Sequence, residues 1–287
     1  MQGLDCELVR LETSDDLELQ GLLFKANRGR KAVIHIHGWT GNFYEDVFID
    51  YIAKALTNDG MAFLTFNTRG SGHVQEFLKG VGKKRVMIGG SLERFEDCIK
   101  DIGAALNFMS KRGFKEFILQ GHSTGCQKIV HYYNKTRDSR IRGLIFLEPT
   151  DDPPICSRFL GNRYNEALVY AKKMVMNGAP DRSMPDWLPF GIRLSAQKFL
   201  SMSDPTSTEG RIFSYSGNLD EIRKIDVPVL AVHGAKTEYQ DKPGEKLMIL
   251  KKTVPDCETN LLDTNHWFSG QEKRLGETIV NWIKTKT

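Results

Sequence analysis

The chain has no closely spaced cysteine pair: Cys6, Cys98, Cys126, Cys156 and Cys257 are odd in number and scattered along 287 residues. That excludes a disulfide framework and a CxxC-type zinc site, and it fits a reducing cytoplasm. No apolar run approaches membrane-spanning length, and the opening MQGLDCELVRLETSDD meets acidic residues at once, without the apolar centre of a signal peptide. No membrane partner is expected. Charge of one sign is also scarce, with 40 basic against 36 acidic residues and a formal net charge of +4. The single basic cluster, Lys83-Lys84-Arg85, reads as a solvated loop, so no nucleic-acid partner is expected. No GxGxxG follows the first parallel strand, which excludes a dinucleotide site, and no cofactor is implied. Internal repeats and low-complexity segments are absent.

What is present is a rhythm. KAVIHIH (31–37), MAFLTF (61–66), KEFIL (115–119), RGLIFL (142–147) and PVLAVH (228–233) are short, nearly continuous apolar runs. Strands covered on both faces of a parallel sheet read this way. Helical periodicity lies between them. From Ser91 to Arg112, Leu92, Phe95, Ile99, Ile102, Leu106 and Met109 recur at three and four, with Ser91 as N-cap and Gly113 after the end. Weaker helices cover 45–56, through Phe48, Ile52 and Ala55, and 273–284, through Leu275, Ile279, Trp282 and Ile283. ELVRLE and LELQGLLF alternate like an antiparallel hairpin at a sheet edge. Strand and helix in alternation predict an α/β fold, with a mostly parallel central sheet and helices on both faces.

Residues 151–220 break the rhythm. They hold one amphipathic helix candidate, through Leu160, Tyr164, Leu168, Ala171 and Val175, and then the aromatic stretch MPDWLPFGIRLSAQKFL. The expected organisation is a core of 1–150 and 221–287 with an inserted helical lid at 151–220. Trp187, Phe190 and Phe199 are candidate pocket walls, with packing in a core as the plain alternative.

The motif with chemistry in it is Gln120-Gly121-His122-Ser123-Thr124-Gly125, directly after a strand and opening a helix. A turn sharp enough to raise a serine above a sheet forces strained dihedrals and leaves room only for small neighbours. It also sets Ser123 at a helix N-terminus, where the N–H of Thr124 can donate to an oxyanion. His35-Ile36-His37-Gly38-Trp39-Thr40-Gly41-Asn42 ends an earlier strand in a His-Gly turn, from which the N–H of Trp39 can reach the same oxyanion. The His35/His37 pair could suggest a metal, but no third ligand is spaced to join it, so it reads as support for that turn. His266, in LLDTNHWF, lies just beyond a short final strand, where a general base belongs, and VHGAKTE ends another strand with a carboxylate in its turn.

Nucleophile, acid and histidine in this order resemble the α/β-hydrolase-fold serine hydrolases, and the resemblance covers nearly the whole chain from about Leu17. The turn Asn67-Thr68-Arg69-Gly70-Ser71-Gly72 resembles the Asp-x-Arg-Gly-x-Gly turn common in that family. HGWTGN, GHSTG and the intermediate insertion are similar to small intracellular esterases, including feruloyl-esterase-like and siderophore-esterase-like members. The resemblance implies a Ser123–His266–acid triad and an acyl-enzyme. Many family members carry Asp three residues after the glycine of the seventh strand's turn, but Thr237 stands there, and the carboxylate comes one later. Glu238 is therefore the expected acid, with Asp241 and then Asp151 or Asp152 as alternatives. The expected partner is a small-molecule ester, and a homodimer is left open. A thioesterase, an amidase or peptidase, and a carbon–carbon bond hydrolase share the same triad, and a non-catalytic binding protein could keep the fold.

Overall fold

The computed structural model describes residues 4–25, 29–188 and 193–287. Among these, eight strands form the main sheet: β1 Cys6–Glu12, β2 Glu18–Phe24, β3 Lys31–Ile36, β4 Ala62–Phe66, β7 Glu116–His122, β8 Ile141–Leu147, β9 Val229–Gly234 and β10 Cys257–Leu262. Their order is β1-β2-β4-β3-β7-β8-β9-β10. β1 pairs with β2, and β2 with β4, in antiparallel fashion, and every pairing from β4 to β10 is parallel. The expected edge hairpin and parallel sheet are both found.

The interior parallel strands are buried along most of their length because both faces are covered, whereas the edge strand β10, CETNLL, is partly exposed. On one side α1 Val47–Asn58 and the helix Glu272–Lys286 pack through Phe48, Ile52, Leu56, Leu275, Ile279 and Trp282. On the other, α2 Cys98–Lys111 and α3 Thr124–Thr136 bury Ile102, Leu106, Met109, Ile129 and Val130. No helix among the described residues is long and apolar enough to cross a membrane.

Three local expectations are corrected. The helix expected from Ser91 begins instead at Cys98, after a 3-10 turn at Phe95–Asp97. Gly89, at φ +91, turns the chain, and Glu93 is drawn inward by tertiary ion pairs, so 89–94 cannot continue the helix. Lys83-Lys84-Arg85 is no simple loop, because Glu76–Lys79 and Lys84–Met87 form a separate hairpin, β5 and β6, turned by the positive-φ residues Gly80, Gly82 and Lys83. The single helix expected through Leu160 and Val175 is broken at Gly161, at φ +52, into α4 Asp152–Leu160 and α5 Tyr164–Met176.

The segment between β8 and β9 packs α5 and α6 (Ala196–Ser203) around a small apolar cluster of its own, with Leu160, Ala171, Leu194 and Phe199. A fully buried ion cluster ties this segment to the core. The Lys198 ammonium, on α6, lies 3.1 Å from Glu93 and 3.1 Å from Glu209, and the Lys128 ammonium, on α3, lies 2.9 Å from Glu93. Burial opposes the Glu93 charge, but the two ammonium groups overcome it and bring that carboxyl down to about 2. Removing one member leaves buried charge without compensation. Lys198→Met is expected to destabilise the protein by about 3–5 kcal/mol, measured by urea unfolding. A loss under about 1 kcal/mol would show that the cluster holds little of the fold together.

Candidate active site

The sheet places the carboxyl ends of β3, β7, β8, β9 and β10 side by side, the position where open α/β sheets bind ligands. Ser123 follows β7 at φ +53, ψ −127, a backbone conformation rarely held by a residue with a side chain. Its neighbours explain how the turn closes. A Cβ on Gly125 would lie 2.1 Å from the Ile36 carbonyl oxygen, and one on Gly121 would lie 2.4 Å from the backbone carbon of Gly125. Both contacts are with backbone, so neither position admits a side chain. The Ser123 N–H donates to the Leu147 carbonyl (2.8 Å) and the Cys126 N–H to the Ser123 carbonyl (2.9 Å), fixing the serine between β8 and α3. Cys126 packs here, fully buried, with its thiol against the Gly121 carbonyl.

The His-Gly turn after β3 comes close to the serine. A Cβ on Gly38 would sit 3.0 Å from the Ser123 Cβ and 3.6 Å from its Oγ. His37 holds that turn. Its Nε2 accepts from the Thr68 N–H (3.0 Å) while Nδ1 donates to the Gly38 carbonyl (2.7 Å), an arrangement that only the neutral Nδ1–H tautomer satisfies. Burial holds the His37 ring down to about 4, so it stays neutral. His35 receives the Gln120 amide on Nδ1 at 2.8 Å.

His266, buried after β10, presents Nδ1 to a carboxylate oxygen at 3.2 Å. That carboxylate belongs to Glu148, the first residue past β8, and the expected Glu238 does not reach the ring. Glu148, at φ +54 and fully buried, also accepts from His233 Nδ1 (3.2 Å) and from the Gly234 N–H. Burial works against its charge, but hydrogen bonds from the two imidazoles prevail and hold the carboxyl well below the usual carboxylate range. Glu238 is exposed and takes a different part, accepting from the His266 backbone N–H at 3.2 Å. Asp241 is exposed and paired with Arg158. Asp151 is buried, but its carboxylate accepts from the Tyr215 N–H, away from the ring. Three aromatic rings pack against the His266 ring: His122 at 4.8 Å, Tyr239 at 4.6 Å and Trp267 at 5.3 Å between centroids.

Ser123 and His266 share a cavity of about 410 Å³, to which Trp39, Thr124, Asp152, Phe159, Met202 and Tyr239 also contribute. α4 and α6 of the 151–220 segment supply part of this wall. Of the predicted wall aromatics, Trp187 instead lies under the Arg163 guanidinium and Phe199 in the segment's own cluster, while Phe190 falls outside the described residues.

A family model described as "Protein of unknown function (DUF1749)" matches residues 18–266. The chain belongs to the DUF1749 family. No curated protein matches this DUF1749 member significantly in sequence. Solved structures do resemble it in fold. The siderophore hydrolase EstB from Aspergillus fumigatus has a TM-score of 0.71 at 16% identity, covering 99% of this chain and 98% of that one. Est1E from Butyrivibrio proteoclasticus, with ferulic acid bound, has a TM-score of 0.67 at 19% identity, covering 97% and 98%. The Pyrococcus furiosus esterase Pf2001 has a TM-score of 0.62 at 18% identity, covering 99% and 92%. The α/β-hydrolase fold expected from the sequence is therefore the fold of this DUF1749 chain.

The buried Glu148 charge has a consequence for acid stability. Because its folded pKa lies below the ordinary 4.5, its contribution is complete above that value and is lost as pH falls toward the folded value. The stability gap between wild type and Glu148→Gln should shrink by about 1 kcal/mol between pH 7 and pH 4, read from urea unfolding. A gap constant with pH would mean that the carboxylate is not held in its charged form.

Proposed function

We propose that the protein is a serine hydrolase that cleaves carboxylic esters, with Ser123 as nucleophile, His266 as general base and Glu148 as the acid that orients the imidazole. The observation that carries this reading is the single chain of groups from Glu148 through His266 to the cavity that Ser123 also lines, with Ser123 at φ +53. Glu148 supplies the acid that a non-catalytic descendant of the fold would lack. The names of the structural neighbours, an esterase, a ferulate-binding protein and a siderophore hydrolase, favour an ester as the scissile group.

In this mechanism His266 takes the Ser123 proton as the hydroxyl oxygen attacks the ester carbonyl. Glu148 holds the imidazole with Nδ1–H inward, so that Nε2 is the basic nitrogen, and stabilises the imidazolium that forms. The backbone N–H groups of Trp39 and Thr124 donate to the developing oxyanion. The imidazolium returns its proton to the leaving alcohol, an acyl-enzyme remains, and water activated by the same histidine releases the acid. The 151–220 segment acts as a lid that supplies the wall facing the acyl group and limits water access. Glu238 serves the histidine loop rather than the ring.

Two measurements test the assignment. A fluorophosphonate should add once to wild type and not at all to Ser123→Ala, read by intact-protein mass; labelling of the alanine variant would sink the nucleophile. Glu148→Gln should lower kcat on a p-nitrophenyl ester by about a thousandfold to ten-thousandfold. Glu238→Gln, which removes the charge but keeps an oxygen that can accept from the His266 N–H, should lower it by less than about tenfold. The reverse order of effects would return the acid to Glu238.

A further inference from the structure

The charge of the cavity wall goes one step beyond the esterase reading, on which this inference rests. The charged side chains lining the cavity are Glu45, Asp46 and Asp152, and no lysine or arginine is among its described lining residues. Glu45 is exposed and Asp46 half-buried, whereas Asp152 is only 6% exposed. Asp152 Oδ2 accepts from the Gln127 amide at 3.0 Å, an amide shared with the Thr150 carbonyl. Among the described residues no cation forms an ion pair with Asp152, although Glu93 and Glu209 have lysines and Asp101 has Arg69. Lys198, the nearby buried ammonium, is engaged by Glu93 and Glu209. Arg158, on the same helix as Asp152, donates instead to the carbonyls of Glu238 and Tyr239.

A second observation points to a polar ligand in the same place. The Thr124 side chain lines the cavity, is 3% exposed, and its hydroxyl has no hydrogen-bond partner among the described residues. The Gln127 side-chain oxygen, buried on α3, likewise lacks one. Phe159 and Trp267, partly exposed in the same wall, offer apolar surface for an alkyl stem.

A carboxyl kept from water and from cations resists ionising. Burial pushes Asp152 up to about 8, the carboxylates of Glu209 and Asp151 add to the effect, and the Thr150 hydroxyl and Lys198 ammonium oppose it. A ligand cation would remove that resistance, because an opposite charge within a few ångströms favours the carboxylate. A neutral ligand of the same shape gains nothing comparable.

We propose that the site takes esters carrying a protonated primary amine, and that the Asp152 carboxylate binds that ammonium group. The matched substrates are p-nitrophenyl aminohexanoate and p-nitrophenyl heptanoate, in which a methyl replaces the ammonium. Wild type should favour the ammonium ester by at least about tenfold in kcat/KM, and Asp152→Asn should bring the ratio to about one. A wild-type ratio of one or below overturns the proposal, as does an unchanged ratio in a folded Asp152→Asn protein. Where the asparagine variant fails to fold, Asp152→Ser is measured in the same way.

A binding arm separates this inference from the esterase reading. Hexylamine and hexanol are titrated calorimetrically into Ser123→Ala, with and without Asp152→Asn. Tighter binding of the amine that depends on Asp152 supports the cation site even if wild type cleaves neither ester, and in that case only the esterase reading fails. Equal binding of amine and alcohol overturns the cation site even if both esters are cleaved.

Discussion

The Glu148 carboxylate holds the candidate site together. It is one buried charge with three donors, and the donors come from β9 and from the loop after β10: the Gly234 N–H, His233 and His266. A buried carboxylate without such donors would be costly enough to protonate or to expel the strand end that bears it. With them, it fixes three chain segments relative to one another. The strain at Glu148, at φ +54, is held by the same bonds, since leaving that conformation would withdraw the carboxylate from all three. Ser123 depends on the same strand end, because its N–H is bonded to the Leu147 carbonyl immediately before Glu148.

Two further histidines near this charge, His37 and His122, are kept neutral by burial. Burial brings both rings down to about 4, which leaves His266 as the imidazole suited to the proposed base role. His122 spends Nε2 on the His266 carbonyl (3.1 Å), bracing the loop from below, while Glu238 braces the same loop through the His266 N–H. His266, the proposed base, is thus gripped at its ring, its N–H and its carbonyl by three different elements. Such positioning keeps an imidazole within the narrow angular range that proton transfer requires.

The parts of the fold set by local pattern were legible in the sequence. Five apolar runs became five of the six parallel strands, and Gly121 and Gly125 stand where only glycine fits between β7, α3 and β3. What was not legible depended on contacts distant in the chain. Glu93 reads as an ordinary helix-start residue until Lys128 and Lys198, 35 and 105 residues away, draw it inward. Glu148 reads as a strand-end residue before Pro149, and Glu238 has the better spacing for a triad acid. The deciding fact is lateral: β8 lies directly beside β9, so a carboxylate at the tip of β8 reaches His233 and His266 without any loop. A signal did exist, since a glutamate ending the apolar run RGLIFL must be buried and therefore partnered.

Taking Glu148 at the end of β8 as the proposed acid changes what the loop after β9 can do. If the carboxylate came from that loop, residues 235–241 would have to hold a fixed geometry at the ring. Here the loop is released from that duty and serves as a junction. Its Glu238 carboxylate takes the His266 N–H, while its Glu238 and Tyr239 carbonyls receive the Arg158 guanidinium from α4. The 151–220 segment therefore touches the loop after β9 at one end through Arg158, and at the other it is anchored to α3 and to Glu93 through the Lys198 cluster. The first attachment is exposed, made to two backbone oxygens and the exposed Asp241 carboxylate; the second is fully buried and ionic. Exposed bonds exchange with water at little cost, whereas buried ion pairs do not. The Arg158 tie is consequently the weaker of the two, and the start of α4 is held independently by the buried bond from Gln127 on α3 to Asp152.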